Sequence, residues 1–237
     1  MARKVLFVVN DPVSTEALLA DAFADHGFDV ETFDIVPSAR VEHPAVDVTF
    51  PDPLSYDVVV PLGARWPVYD DALLRSWVGD EMRMVRDADA AGVAVLGVCF
   101  GGQLAAIAHG GSVSRSATPE IGWYHIDSDD PNLVPDGPWF QWHFDRWTLP
   151  PGATEIARST QASQAFTIGR TLALQFHPEL DAALLKLWLD EDCDGEAAAL
   201  GVDGDELLFR TVELRDNSAR RISALVRGFL DKVAAAA

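Results

Sequence analysis

The sequence has few basic residues for its size. Its 237 residues include 18 lysines and arginines against 37 aspartates and glutamates, which gives a formal net charge of −19 at pH 7. A nucleic-acid-binding protein needs a basic surface that displaces counterions from the phosphates. The same lack of positive charge disfavours binding to anionic membrane surfaces. We therefore expect neither a nucleic acid nor a membrane as partner.

Cysteine is also scarce, with only Cys99 and Cys193 in the chain. Two cysteines make no disulfide framework and are typical of a protein of the reducing cytoplasm. Cys193 stands in the acidic stretch DEDCDGE, where neighbouring carboxylates favour the protonated thiol, so we interpret it as unreactive. No histidine outside the motifs below has ligand-like spacing to another or to a cysteine, which predicts no structural metal.

Long apolar runs without breaks are absent as well. Residues 90–114 carry no formal charge, but six glycines lie among them, and the pattern changes from strand-like to helical at Cys99. This favours a buried strand followed by a buried helix over a membrane span. The apolar run after the N-terminal MARK is too short for the core of a signal peptide and predicts a first strand.

Strand-like and helical segments alternate through the first half of the chain. Strands are predicted over 4–10, 30–36, 56–63 and 93–98, and helices over 15–28, 70–92 and 101–111. This alternation predicts a parallel sheet with helices on both faces.

The pattern changes after residue 112. Short strand-like segments separated by Pro, Gly and Asp occur at 121–127, 139–149, 154–159, 165–169 and 171–177. They predict antiparallel additions to the sheet. Helical spacing returns from Asp181 to the C-terminus.

A thiol stands between two glycines in Gly97-Val98-Cys99-Phe100-Gly101, where a strand-like run becomes helical. G-x-C-x-G has the spacing of the nucleophile elbow G-x-S-x-G, a tight turn whose crowded backbones tolerate little beyond glycine at the flanking positions. The turn holds the thiol at a strand's carboxyl end and at a helix N-terminus, whose field favours thiolate. The backbone N–H of Phe100 then faces a developing oxyanion. Taken alone, the motif also fits a buried structural cysteine.

The segment LALQFHPEL, residues 172–180, predicts a buried strand that ends at His177. Pro178 keeps the preceding residue extended, and residues i and i+2 of an extended chain point to the same side. Glu179 can therefore reach the imidazole of His177. A base oriented by a carboxylate is what a cysteine nucleophile needs. His177 alone also fits a structural role, but with Cys99 and Glu179 it predicts a catalytic constellation.

These motifs resemble those of a known family. GVCFGGQ (97–103) and FHPE (176–179) are similar to the nucleophile and His-Glu motifs of the class I, triad-type glutamine amidotransferases. WHFD (142–145) resembles the W/S-H-x-D segment of the stand-alone GMP-synthase-like branch, near the γ-glutamyl peptidases. The resemblance covers roughly residues 1–180 and is carried by the joint spacing and order of the motifs.

The resemblance implies a fold and a domain organisation. The expected fold is α/β and flavodoxin-like, a doubly wound and mostly parallel sheet with added antiparallel strands and helices on both faces. The amidotransferase domain is expected over residues 1–190. A C-terminal helical extension is expected over residues 191–237, packed on the same domain.

The resemblance also implies a role for each matched catalytic position. Cys99 would attack the γ-carboxamide of glutamine and form a γ-glutamyl thioester. His177 would act as general base and then as acid to the leaving ammonia, and Glu179 would orient His177.

Further matched positions concern the oxyanion and the substrate. Gly63, which ends the predicted strand YDVVVPLG, would supply the second oxyanion-hole N–H beside that of Phe100. Gln103, one helical turn past the nucleophile, would contact the bound glutamine. His143 and its neighbour Trp142 would line the glutamine pocket.

The chain departs from the family pattern in one segment. The usual oxyanion segment is close to Gly-Gly-Pro-x-Ser, whereas this chain has Leu62-Gly63-Ala64-Arg65-Trp66. One glycine is kept, but the bulky Arg65 and Trp66 change the rim of the pocket. Arg65 fits either a clamp for a substrate carboxylate or a surface arginine in an acidic protein.

We predict a glutaminase that needs no metal or organic cofactor. No synthetase module is expected in these residues, so ammonia would pass to an acceptor on a separate synthetase chain. The alternatives are a γ-glutamyl peptidase or hydrolase that acts alone and a non-catalytic binding or regulatory protein on the same scaffold. A cysteine-dependent α/β-hydrolase fits less well, because there the acid precedes the histidine in the chain.

Overall fold

A computed structural model describes residues 2–192 and 195–235. Cys193, and with it the prediction of an unreactive thiol, lies outside the described residues. The nine strands in the described residues are β1 (Arg3–Val9), β2 (Phe28–Asp34), β3 (Val58–Pro61), β4 (Ala94–Val98), β5 (Ser112–Ser128), β6 (Gly137–Thr148), β7 (Thr154–Arg158), β8 (Ser163–Ile168) and β9 (Thr171–Leu174). The seven α-helices in the same ranges are α1 (Ala17–Asp25), α2 (Asp71–Leu74), α3 (Val78–Ala90), α4 (Phe100–Ala108), α5 (Ala182–Glu191), α6 (Glu196–Ala199) and α7 (Gly204–Phe229). Short turns of other helix types cover Ser38–Arg40, Pro53–Ser55 and Leu230–Ala234.

The described strands form one sheet in the order β2-β1-β3-β4-β9-β8-β7-β5-β6. Five neighbouring strands, from β2 to β9 in that order, pair in parallel. The remaining four continue the sheet through antiparallel pairs. The predicted doubly wound α/β fold with antiparallel additions is therefore confirmed.

Strand β1 shows why helices cover both faces of the sheet. Val5 and Phe7 pack into one apolar cluster, which also holds Phe23 of α1. Leu6 and Val8 point to the opposite face, into a cluster shared with residues of α3 and α4. Because side chains alternate along a strand, the consecutive apolar residues 5–9 of β1 are buried on both faces of the sheet.

Three neighbouring parallel strands bring the predicted site residues together. β4 pairs with β3 on one side and with β9 on the other. Gly63 follows β3, Cys99 follows β4, and His177 follows β9. Since parallel strands end at the same edge of a sheet, these residues meet at its carboxyl edge.

The predicted single helix over 70–92 is in fact two helices, α2 and α3, separated by residues 75–77. Trp77 lies in the break and is fully buried, with its indole N–H donating to the carbonyl of Pro44 at 2.9 Å. Its ring packs against those of Trp66 and Phe100. Burial of a large aromatic side chain thus outweighs the backbone hydrogen bonds of one continuous helix.

Two further differences concern the strands. Strand β5 begins at Ser112, so the polar segment SVSRSATPE extends a long hairpin with β6 that the sequence did not indicate. β9, expected among the antiparallel additions, pairs in parallel with β4 and antiparallel with β8. It joins the two parts of the sheet.

The C-terminal region is helical, as the spacing predicts. Phe229, at the end of α7, packs edge-on against Phe23 of α1, with ring centroids 6.4 Å apart. This part of the C-terminal region therefore shares the core beneath the sheet, and the domain boundary at residue 190 stays a prediction. Among the described residues, no helix has the length and apolar character needed to cross a membrane.

Candidate active site

Cys99 lies in the sharp turn between β4 and α4. Its backbone has φ +50° and ψ −104°, a conformation that non-glycine residues adopt only when the surroundings enforce it. A β-carbon on Gly97 would lie 2.6 Å from the carbonyl oxygen of Gly101, and one on Gly101 would overlap the carbonyl of Pro61. The close approach of three backbones explains both glycines of G-x-C-x-G.

His177 and Glu179 form the expected pair. Nδ1 of His177 lies 2.7 Å from Oε1 of Glu179, and both side chains are buried. The backbone N–H of His177 donates to the carbonyl of Phe140 at 2.8 Å. The ring of Trp188 packs edge-on against the imidazole, with centroids 4.7 Å apart. The imidazole is thus held in one orientation, with Nε2 left for the thiol.

The charge state of His177 follows from two opposing effects. Burial acts to lower its pKa, but the charge of the Glu179 carboxylate, the neighbouring sulfur of Cys99 and the hydrogen bond between Nδ1 and Glu179 outweigh it and raise the pKa to about 10. At neutral pH the imidazole is therefore protonated. A cationic imidazole beside a thiol favours the thiolate, which is the reactive form of a cysteine–histidine pair.

Gly63 lies against both members of this pair. A β-carbon on Gly63 would lie 3.1 Å from Cε1 of His177 and 3.8 Å from Cβ of Cys99. The ring of Phe100 is buried against Trp77, so this residue can offer the site its backbone N–H in the first turn of α4. The structure brings both predicted oxyanion residues next to the thiol.

Gln103 reaches the same edge of the sheet from α4. Its Nε2 lies 3.4 Å from the carbonyl of Asp145 and 3.3 Å from Oε1 of Gln175. The Nε2 of Gln175 lies 3.7 Å from Sγ of Cys99. Sequence reasoning missed Gln175, although a signal was present: it precedes His177 by two residues in an extended segment and so points to the same side.

Trp142 contacts the thiol through its backbone, whereas the ring of His143 contacts other protein groups. The carbonyl oxygen of Trp142 is 3.9 Å from Sγ of Cys99. The ring of His143 has Nδ1 3.0 Å from the carbonyl of Asp145 and Nε2 3.1 Å from a carboxylate oxygen of the buried Glu120. Both nitrogens of His143 therefore face protein groups, and the strand backbone of 142–145 forms this wall of the site. Glu120 was missed, because only the register of β5 and β6 sets it opposite His143.

Arg65 is bound to Asp11, which is buried. Its Nε and Nη2 lie 2.8 and 3.2 Å from the two oxygens of that carboxylate, and its backbone N–H donates to it at 3.1 Å. The sequence left open a clamp for a substrate carboxylate and a surface arginine, and neither interpretation includes this contact. The guanidinium of Arg65 holds the segment 62–66 to the loop after β1. Asp145 similarly accepts a hydrogen bond from the hydroxyl of Tyr69 at 3.1 Å and holds the segment after Arg65.

No set of three or more His, Cys, Asp and Glu side chains is arranged as a metal site within residues 2–192 and 195–235. The chemistry that the described arrangement can perform is nucleophilic attack by a thiolate with a cationic proton donor beside it.

Comparison with known proteins agrees with this geometry. The sequence profile of the class-I glutamine amidotransferases matches residues 67–186, half of the chain, including the Cys99 and His177 motifs. The chain belongs to the class-I glutamine amidotransferase family. The profile match ends within α5 and does not reach α7.

The relatives of this amidotransferase chain include glutamine-hydrolysing GMP synthases. That of Parafrankia sp. (strain EAN1pec) is 38% identical over 101 residues, 38% of this chain and 19% of that protein. That of Thermomicrobium roseum is 32% identical over 162 residues, 61% of this chain and 30% of that protein. The chain therefore spans less than a third of the length of these curated relatives. The crystal structure of a glutamine amidotransferase from Thermotoga maritima matches over the whole of both chains, with a TM-score of 0.82 and 24% identity, which shows a shared fold.

Proposed function

We propose that the chain hydrolyses the γ-carboxamide of L-glutamine through a γ-glutamyl thioester on Cys99. One observation carries the proposal: the thiol, the His177–Glu179 pair and Gly63 lie together at the ends of three neighbouring parallel strands. A strained nucleophile turn has a cost in stability that an inert structural cysteine does not require. Membership of the glutamine amidotransferase family supports the choice of glutamine.

The proposed reaction has two halves. The thiolate of Cys99 attacks the γ-carbonyl carbon, and the backbone N–H groups of Gly63 and Phe100 bind the oxyanion. His177 gives its proton to the amide nitrogen, the C–N bond breaks, and ammonia leaves. His177 then takes a proton from water, the hydroxide attacks the thioester, and the C–S bond breaks to release glutamate and the thiolate. Glu179 keeps the imidazole oriented and stabilises its positive charge throughout.

The substrate is proposed to lie between α4 and the 142–145 strand. The carbonyl of Trp142 lies 3.9 Å from Sγ of Cys99, and the amide of Gln103 contacts Gln175, whose own amide contacts that sulfur. Such polar groups suit a zwitterionic amino acid. His143 is proposed to act through the strand backbone, because its ring contacts Asp145 and Glu120. No organic cofactor enters these steps.

The ammonia is proposed to pass to an acceptor bound by a synthetase on a separate chain. The relatives named above are synthases that hydrolyse glutamine, which supports a coupled role. The test is to add candidate synthetases to the purified chain. A partner that raises kcat for ammonia release supports this role, and unchanged kinetics with every candidate contradicts it. A reducing, cytoplasmic location is proposed as well, because Cys99 must stay a free thiol.

A second candidate is a γ-glutamyl peptidase or hydrolase that acts alone. The observation that favours it is the rim of the site, where Arg65, fixed by Asp11, and Trp66 stand in place of the small residues of the usual segment. A rim that differs from the usual segment supports a γ-glutamyl substrate other than glutamine. The non-catalytic alternative requires that Cys99 be inert.

One experiment separates these functions. Ammonia or amine release is measured from L-glutamine and from a panel of γ-glutamyl amides, with the purified chain, Cys99→Ala, and Cys193→Ala as the matched control that removes the other thiol. Release from glutamine that only Cys99→Ala abolishes supports the glutaminase. Release from the larger amides alone supports the peptidase. No release, together with no labelling of Cys99 by a thiol-alkylating glutamine analogue, contradicts both enzymes.

A further inference from the structure

A buried carboxylate contacts the strand wall of the site. Glu120, on β5, is fully buried, and its Oε2 lies 3.1 Å from Nε2 of His143. The same oxygen accepts a hydrogen bond from Nε2 of Gln164, on β8, at 2.8 Å. Gln164 is fully buried too, and its amide nitrogen also donates to the hydroxyl of Ser159 at 3.2 Å. The carboxylate therefore joins β6 to β8.

The contacts of the His143 ring decide where its hydrogens lie. Nδ1 is 3.0 Å from the carbonyl oxygen of Asp145, and a carbonyl only accepts, so Nδ1 carries a hydrogen. Nε2 lies close to Oε2 of Glu120 without the alignment of a full hydrogen bond. Two atoms that both lack a hydrogen would repel each other at this distance, so the pair holds one, on Nε2 or on the carboxyl group. In either arrangement Nδ1 stays the donor to Asp145.

The carbonyl of Asp145 has a second donor on α4. Nε2 of Gln103 lies 3.4 Å from this carbonyl and 3.3 Å from Oε1 of Gln175. A side-chain amide can be turned either way about its last bond, and two acceptors at its nitrogen decide which way it faces. The amide of Gln103 is therefore oriented in part by a carbonyl that His143 holds.

Stability alone does not require this charged pair. Glu120 and His143 lie directly opposite each other in the register of β5 and β6. Two apolar residues at such positions hold a hairpin as well or better, because a carboxylate loses its hydration on burial. Oε1 of Glu120 makes no hydrogen bond to the described residues, so the burial of this group is only partly compensated. A buried charge that costs stability beside a site residue indicates a role in function.

We propose that Glu120 is a positioning residue of the glutaminase: it holds the ring of His143, whose Nδ1–H holds the Asp145 carbonyl, and that carbonyl orients the Gln103 amide towards bound glutamine. This series of contacts is called the relay below. The inference rests on the proposed function, which places the substrate beside Gln103. Without Glu120 the ring of His143 is free to turn about its Cβ–Cγ bond. Because Gln103 would bind substrate and transition state alike, loss of the relay affects KM more than kcat.

The first test separates the two ring nitrogens of His143. The amide nitrogen of glutamine, like Nε2, is three bonds from Cβ and can keep the contact with Glu120, whereas that of asparagine, like Nδ1, is two bonds away and can keep the contact with Asp145. We expect His143→Gln to raise KM for glutamine about tenfold with kcat within about threefold, and His143→Asn to raise KM less. His125→Gln, at an exposed histidine 3.7 Å from Asp127, is the matched control and leaves KM unchanged. A KM for His143→Asn equal to or above that of His143→Gln overturns the relay.

The second test separates positioning from stability. Glu120→Leu leaves His143 without its partner, and we expect it to raise KM about tenfold and to lower the unfolding temperature. The double variant Glu120→Leu/His143→Leu sets two apolar residues opposite each other, so we expect it to be more stable than Glu120→Leu while its KM stays about tenfold above that of the wild type. A double variant with the KM of the wild type shows a merely structural pair and overturns the relay. If the double variant is unfolded, the comparison of His143→Asn with His143→Gln decides.

A spectroscopic signature keeps the relay separate from the proposed function. If the wild type releases no ammonia or amine from any γ-glutamyl compound, the proposed function fails. The relay is then judged by NMR of the ring nitrogens of His143 and their hydrogens. An Nδ1–H signal in the wild type that is shifted or broadened in Glu120→Leu supports the relay. A wild type without hydrogen on Nδ1, or a signal that is unchanged in Glu120→Leu, overturns it.

Discussion

The side-chain amide of Gln175 donates to the sulfur of Cys99 across 3.7 Å. Gln175 is fully buried, and its Oε1 accepts from Gln103 at 3.3 Å, which turns the amide nitrogen towards the thiol. The nucleophile therefore has a neutral donor on one side and the imidazole of His177 on the other. Because Gln175 and His177 both belong to the segment that follows β9, this one segment positions both side chains beside the sulfur.

We expect Gln175→Leu to weaken the nucleophile. Loss of a donor to the sulfur destabilises the thiolate, so the rate of alkylation of Cys99 by iodoacetamide at neutral pH falls about tenfold, and kcat falls with it. Gln161→Leu, at an exposed amide, is the matched control and leaves both rates unchanged. Equal alkylation rates in Gln175→Leu and the wild type would contradict this role.

We expect Glu179→Gln to lower kcat by about a hundredfold or more, because the imidazolium loses its counter-charge. Without that charge, burial dominates and the pKa of His177 falls well below about 10. NMR titration of the imidazole measures the pKa, and the ammonia assay measures kcat. A His177 pKa that stays near 10 in the variant would mean that a group other than Glu179 stabilises the imidazolium.

The same pair predicts how stability depends on pH. The pKa of His177 is raised in the folded state from its ordinary 6.5 to about 10. The stabilisation is therefore complete below about pH 6.5 and is lost as the pH rises to about 10. We expect the free energy of unfolding, measured in urea, to fall over this range in the wild type by more than in Glu179→Gln. If the free energy of unfolding depends on pH in the same way in both chains, the His177–Glu179 pair does not contribute to this pH dependence.

Asp11 and Arg65 are expected to act as a pair in stability. Arg65→Met leaves a buried carboxylate without its cationic partner and costs about 3 kcal/mol of unfolding free energy. The double variant Asp11→Asn/Arg65→Met is expected to be more stable than Arg65→Met alone. Urea unfolding of the single and double variants gives the coupling energy. Additive losses would show that the ion pair is not the interaction that holds the segment.

We expect Gly101→Ala to destabilise the chain by several kcal/mol, because its β-carbon would overlap the carbonyl of Pro61 and force β3 and α4 apart. Gly152→Ala is the matched control: it has open space around the α-carbon and carries only the cost of a positive φ, about 1 kcal/mol. Thermal unfolding measures both. Similar losses in the two variants would mean that the turn can relax around the extra carbon.

The parts of the site that sequence could predict are those set by local backbone. The glycines around Cys99 are required by the turn itself, and His177 and Glu179 meet because they are two apart in extended chain. Most of the order of strands and helices was likewise predicted, because β3 and β4, at the centre of the parallel sheet, are continuous apolar runs.

The contacts that sequence could not predict join distant segments. Glu120 meets His143 only through the register of β5 and β6. The same holds for the break before α3, where Trp77 packs against Trp66 and Phe100 and donates to the carbonyl of Pro44. Tertiary packing, and not local propensity, decides each of them.

The position of β9 has a consequence for how the chain acquires its chemistry. This four-residue strand is the last in the sequence, yet it lies between β4 and β8 and so joins the parallel and antiparallel parts of the sheet. His177 follows β9 and Cys99 directly follows β4, so the pairing of these two strands brings the imidazole beside the thiol. Insertion of β9 therefore completes the sheet and the cysteine–histidine pair together.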